Sequence, residues 1–135
     1  MSDKVFFDTN VLLYTIAQND ARTPAAEALL ARGGVIGVQV LNELASVARR
    51  KLQMSWAEVT EALEAIRILC PSPIAITAEI HDAALRLAGQ HGFHIYDALI
   101  VAAALEADCT TLYTEDWQSG QVIDGQLTIH NPFKW

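Results

Sequence analysis

The 135-residue chain is expected to fold as an α/β three-layer sandwich, with a central parallel sheet of about five strands flanked by helices. Three observations predict it. Short apolar runs of strand length alternate with segments whose apolar residues recur at helical spacing. Strands separated by one or two helices need crossover connections, and crossovers build parallel sheets. Finally, 52% of the residues are hydrophobic and 19% charged, enough to cover both faces of a sheet, and no Ser-, Gly- or Pro-rich tract marks a linker. The length suits one domain over residues 1–135.

Lys4 to Asp8 is an apolar run ending in an acid, and Thr9-Asn10 followed by Val11-Leu12-Leu13-Tyr14 reads as that strand entering a helix. Thr23-Pro24 opens a second helix, the threonine as cap and the proline in the first turn, and Gly33-Gly34 closes it. Val35 to Val38 is the second expected strand. From Gln39 to Leu52, Val40, Leu41, Leu44, Val47, Ala48 and Leu52 recur at helical spacing. Ser55-Trp56-Ala57-Glu58 is a capping box for the next helix, whose inward stripe is Val59, Leu63, Ile66 and Leu69, and Pro71 and Pro73 end it. Ile74 to Ile76 is a short strand, and Thr77 caps a helix that ends near Gly92. Tyr96 to Ala107 is almost wholly apolar and must be buried on most sides. Thr110 to Thr114 and Leu127 to His130 supply the last strands. Tyr14, Trp56, Tyr96 and Trp117 are expected in core or rim packing, although Trp117, beside Asp116, is placed to stack on a base.

Several classes of function are excluded or disfavoured. The longest apolar run, Ala98 to Leu105, is far short of the roughly 20 residues of a bilayer span. The start MSDKVFFD lacks the basic and apolar regions of a signal peptide, so a cytoplasmic protein without membrane attachment is expected. Cys70 and Cys109 stand alone and read as small buried hydrophobes. With 9 Lys and Arg against 16 Asp and Glu, the net charge of −7 argues against gripping nucleic acid through bulk positive charge. No Ser/His/Asp or Cys/His set, Walker loop or GxGxxG is present. His91 and His94 lack a completing metal ligand and read as loop polarity.

Most of the acids lie on solvent faces, in first helical turns or near chain bends, but four are placed differently. Asp8 ends an apolar strand. Glu43 shares a helix face with Val40 and Val47, where an unpaired carboxylate is costly and needs a cation or an arginine. Asp97 opens the most hydrophobic helix, and Asp116 follows the strand Thr110–Thr114 on the same expected rim as Asp8. Taken singly, Asp8 and Asp97 also read as helix caps, and Asp116 as a solvated turn acid. Topology allows all four to converge. Four clustered carboxylates repel unless cations lie between them, and oxygen donors with few histidines select Mg²⁺ or Mn²⁺.

The segments Phe7-Asp8-Thr9-Asn10, Leu41-Asn42-Glu43, Tyr96-Asp97-Ala98-Leu99 and Thr114-Glu115-Asp116 occur in the order and approximate spacing of the PIN-domain ribonucleases. The chain resembles the toxin half of a VapBC-type toxin–antitoxin pair from Lys4 to Asn131-Pro132-Phe133. This resemblance implies a Mg²⁺- or Mn²⁺-dependent endoribonuclease with Asp8, Glu43, Asp97 and Asp116 as catalytic, metal-binding acids. It makes Thr9, Asn10 and Thr114 their polar support and leaves Glu115 able to share the site with Asp116. It also implies a homodimer and a cognate antitoxin that silences the nuclease.

Metal-activated water attacking an RNA phosphodiester needs neither a histidine base nor a cysteine nucleophile. Arg49-Arg50-Lys51, two turns beyond Glu43, reads either as a phosphate-holding run for RNA or as a solvated helix end. Two alternatives remain open. One is a catalytically inactive PIN-like binding module whose acidic pocket receives a partner's arginines. The other is a haloacid-dehalogenase-type phosphohydrolase, disfavoured because Asn10 stands where its second Asp belongs.

Overall fold

A computed structural model describes residues 3–134; Met1, Ser2 and Trp135, the ends of the expected domain, lie outside the described residues. The elements run β1 (Val5–Phe7), α1 (Thr9–Ala17), α2 (Thr23–Ala31), α3 (Val38–Arg50), α4 (Trp56–Leu69), α5 (Ala78–His91), α6 (Ile95–Glu106), β2 (Thr111–Tyr113), β3 (Val122–Ile123) and β4 (Leu127–His130). The sheet order is β1-β2-β4-β3. The first three strands are parallel, in register Phe7↔Tyr113 and Tyr113↔His130, and β3 runs antiparallel to β4.

The mixed α/β architecture matches the expectation, with a different strand inventory. Val35–Val38 and Ile74–Ile76 contribute only single parallel bridges, Phe6↔Val35 and Gly37↔Ile74, rather than strands. The turn at Gly33 and the start of α3 at Val38 leave too few residues between them for a longer ladder. The bridges still extend the sheet beyond β1, with Val35 N–H donating to Val5 O at 2.9 Å and Ile74 N–H donating to Ile36 O at 2.9 Å. Gly34 is required here, because a Cβ would fall 2.5 Å from the Phe7 ring.

β3 was not expected. Asp124 and Gly125 both adopt positive φ, and Gln126 N–H donates to Ile123 O at 3.0 Å, a tight turn that returns the chain into β4.

The helix signals act largely as read. Ser55 and Glu58 form a reciprocal capping box, Thr77 Oγ1 accepts from Ile80 N–H, and Gly92 ends α5 in the left-handed conformation. Residues 98–104 of α6 are all buried. Thr23 is not a cap, however: Arg22 holds that position, and the buried Thr23 hydroxyl donates to Tyr14 O at 2.9 Å, tying α2 to α1. Leu69 and the aromatic rings of Trp56 and Tyr96, expected inward or at the rim, are exposed. Trp56 and Tyr96 stand in the first turns of their helices and Leu69 closes its own, so each stands at the edge of the packed stripe.

Phe6 and Phe7 point to opposite sides of β1 and both are inaccessible to solvent, so the sheet is covered on both faces. Cys70 and Cys109 are buried and unpaired, and burial pushes both thiols up to about 11. No helix among the described residues is long and apolar enough to cross a membrane.

Candidate active site

The parallel pairing of β1 with β2 carries both chains to one rim. Asp8 follows Phe7 and Thr114 follows Tyr113, so the register sets the two side by side, with Asp8 N–H donating to Tyr113 O at 3.0 Å. Asp8 is also the N-cap of α1, its Oδ1 accepting from Thr9 N–H at 2.6 Å. Its other oxygen accepts from Thr114 Oγ1 at 2.8 Å and from Asn10 Nδ2 at 3.4 Å. The cap and the site are thus the same residue.

Asn10 ties the rim together. Its Nδ2 also donates to Asp116 Oδ2 at 3.0 Å and to Thr114 Oγ1 at 3.1 Å, while its Oδ1 accepts from Glu115 N–H at 3.2 Å. Asp116 N–H donates to Thr114 Oγ1 at 3.1 Å. Glu43 arrives from α3. Thr9 Oγ1 donates to its Oε1 at 2.7 Å and Gln39 Nε2 to its Oε2 at 3.1 Å, so both carboxylate oxygens are oriented. Gln39 escaped the sequence reading; its signal was the i, i+4 spacing to Glu43. Asp97 sits in the first turn of α6, behind the N-cap His94, whose Nδ1 accepts from Tyr96 N–H at 3.3 Å.

The charges of these four acids are coupled. Burial pushes Asp8 up to about 7, the bonds from Thr114 and Thr9 oppose the rise, and Glu43 and Asp116 add to it. Burial also raises Asp97, again with Glu43 and Asp116 adding, against His94 and Trp117. Glu43 and Asp116 therefore act on both Asp8 and Asp97, and the structure brings the four acids into one field.

Among the described residues the ion pairs join Arg22 to Asp20 and Glu115, and Arg86 to Asp124; none reaches the four. Asp8 is only 3% exposed and pairs with no guanidinium or ammonium among the described residues, so its charged form is costly there. No three Asp, Glu, His or Cys side chains among the described residues come close enough to enclose a metal on their own. The donors gathered at this rim are carboxylate, hydroxyl and amide oxygens, a hard set that suits Mg²⁺ or Mn²⁺ better than zinc.

Glu115 does not share the site. Arg22 Nη1 binds its Oε2 at 3.1 Å and the Tyr14 hydroxyl donates to its Oε1, so the side chain turns away from Asp116. Arg22 also lies 4.4 Å over the Tyr14 ring and pairs with Asp20 at 2.8 Å. No local pattern signals this network, whose members lie up to about a hundred residues apart. Trp117 packs on Phe93 with centroids 5.2 Å apart, which accounts for it as rim packing. His91 is not a loop residue, since it ends α5 and stacks on Phe93, whereas His94 lies in the connection before α6 and caps that helix. Arg49, Arg50 and Lys51 end α3, outside the acid cluster.

No curated protein sequence matches the chain. Among solved structures, it is similar to VapC20 of Mycobacterium tuberculosis, a Sarcin-Ricin loop cleaving toxin, at 20% identity and a TM-score of 0.68 over 84% of this chain and 92% of that one. It is similar to a toxin–antitoxin complex from Klebsiella pneumoniae at 18% identity and a TM-score of 0.73 over 98% and 100% of the two chains. It is also similar to VapBC2 from Rickettsia felis, bound to a promoter DNA fragment, at 21% identity and a TM-score of 0.64 over 94% and 98%. These identities establish a shared fold. The PIN domain model matches residues 5–122, which include all four acids, and the chain belongs to the PIN domain family.

Proposed function

We propose that this chain is a Mg²⁺- or Mn²⁺-dependent endoribonuclease, the toxin of a cytoplasmic toxin–antitoxin pair, working as one domain over residues 1–135. The observation that carries the reading is Asp8, buried at the strand-end rim, paired with no Lys or Arg among the described residues, and in the field of Glu43 and Asp116. Similarity to VapC toxins and toxin–antitoxin assemblies supports it.

Asp8 and Asp97 are the direct metal ligands, and Glu43 and Asp116 bind directly or through water. A divalent ion bound there supplies Lewis-acid activation of water and neutralises charge on the phosphate. Thr114, Thr9 and Asn10 hold the carboxylate oxygens in fixed directions. Water adds to phosphorus, the bond to the 3′ oxygen breaks, and the products carry a 5′ phosphate and a 3′ hydroxyl. Arg49, Arg50 and Lys51 supply the local positive charge for RNA that a net charge of −7 denies to the surface as a whole. The partners are an RNA substrate, an antitoxin and a second copy of the chain.

End-labelled RNA incubated with purified protein tests the reading. Cleavage with Mg²⁺ or Mn²⁺, lost in EDTA and in Asp8→Asn, with 5′-phosphorylated products, is expected. Cleavage that persists in EDTA overturns the mechanism, and absence of turnover with either ion leaves the acidic pocket as a receptor for a partner's arginines.

A further inference from the structure

The surface of α3 leads away from the acids toward the start of α4. Gln39, Glu43, Ser46 and Arg50 fall at i, i+4, i+7 and i+11, one face of the helix. They are joined in pairs: Gln39 donates to Glu43, and Arg50 Nε donates to Ser46 Oγ at 3.1 Å. Two turns separate Glu43 from Arg50, about 10 Å along the axis. That span is within reach of a nucleotide flanking the one being cut.

Beside Arg50 lies a groove of about 470 Å³ bounded by Asn42, Ala45, Ser46, Arg49 and Trp56. Trp56 is 64% exposed, unusual for so large an apolar ring, and it is held rather than loose. It occupies the first position of α4, directly after Ser55 of the capping box. The Arg49 guanidinium lies 5.0 Å over its ring, itself anchored by a 2.8 Å bond from Nη1 to Met54 O. Neither Arg49 nor Arg50 has a carboxylate partner among the described residues. An exposed indole held by one guanidinium and flanked by a second, neither neutralised by a carboxylate, has the features that bind an unpaired nucleotide, stacking for the base and positive charge for the phosphate.

We infer that this groove is a subsite for one unpaired RNA nucleotide flanking the scissile phosphate, its base stacked on Trp56 and its phosphate held by Arg50. The inference rests on the endoribonuclease reading and assigns stacking to Trp56 rather than Trp117, whose ring is already packed on Phe93. Lys51 lies outside the groove and is not part of the subsite.

The test pairs binding with turnover. Anisotropy of a labelled single-stranded oligoribonucleotide is measured on Asp8→Asn protein, alone and with Trp56→Ala, Trp56→Phe, Arg50→Ala or Arg50→Lys added. The same second substitutions are then assayed for cleavage in the otherwise unaltered chain. Trp56→Ala should weaken binding and raise KM about tenfold with kcat within about twofold, and Trp56→Phe should retain most of the affinity. Arg50→Ala should lower the salt dependence of binding by about one phosphate contact, which Arg50→Lys restores. Unchanged affinity in folded Trp56→Ala protein that still cleaves RNA overturns the subsite alone. Trp56-dependent binding without any cleavage supports the subsite and overturns the nuclease reading. A change of oligomeric state in Trp56→Ala, by light scattering, with RNA affinity unchanged assigns the face to contact between copies and also overturns the subsite.

Discussion

Glu115 and Asp116 are consecutive, yet they belong to two carboxylate clusters with opposite chemistry. Glu115 joins Asp20 around Arg22, with Tyr14 donating a further bond, and every charge in that group meets its opposite. Asp116 joins Asp8, Glu43 and Asp97, where hydrogen bonds from Asn10, Thr9, Thr114 and Gln39 orient oxygens but no Lys or Arg among the described residues pairs with them. The first cluster is complete as it stands and ties β2's exit loop to the α1–α2 turn. The second carries repulsion and desolvation that a bound proton or an added cation relieves. Proximity in sequence therefore says little about role; what distinguishes the two acids is whether a guanidinium is within reach.

Substitutions and pH can break this contrast. The largest effect is expected for Asp8→Asn, which removes one charge of the proposed metal site while preserving shape and capping ability. Cleavage of labelled RNA should fall by about 10³-fold or more, the scale of several kcal/mol of lost charge stabilisation.

Next is the pH dependence of stability in EDTA. The folded-state pKa of Asp8, about 7, lies above its ordinary value of 3.8, so between these values the folded chain binds the extra proton. Its favourable contribution is complete below about pH 4 and is lost as pH rises through 7, by up to a few kcal/mol. Thermal melts of metal-free protein should show a decline over that window, reduced in Asp8→Asn and by added Mg²⁺. A wild-type profile that rises across the same window contradicts the assignment.

Asn10→Ala should cost about 10- to 100-fold in Mg²⁺ affinity or activity, the usual scale for a group that orients ligands. Isothermal titration with Mg²⁺ and cleavage rates would both register it.

The smallest effect on the site is expected for Arg22→Ala. Its partners are solvent-accessible, so metal affinity should stay within about fivefold of the wild type. The exit loop should instead become more susceptible to limited proteolysis near Glu115. A loss in Arg22→Ala as large as that in Asn10→Ala would erase the distinction between the clusters.

Much of the fold was legible because its signals are local. The capping box at Ser55, the cap at Thr77, the stop at Gly92 and the apolar length of α6 act through residues three or four positions apart. The errors arose where local signals compete with neighbours in space. Val35–Val38 looks like a strand and forms one bridge, because α3 begins within it. Thr23 has the chemistry of a cap, but its hydroxyl is taken by Tyr14 O. The Asp124-Gly125 turn carried a hairpin signal that the flanking two-residue strand was too short to reinforce.

By itself, the sequence determined the α/β class, the helix ends and the four acids worth attention, since periodicity, capping and an acid on an apolar face are properties of neighbouring residues. Only the tertiary structure decided which carboxylates remain without a counter-charge. Asp8 and Thr114 meet because two parallel strands pair in one register, and Glu115 leaves the site because Arg22, remote in sequence, arrives beside it. Such encounters depend on how strands more than a hundred residues apart are aligned, and no short-range pattern encodes that alignment.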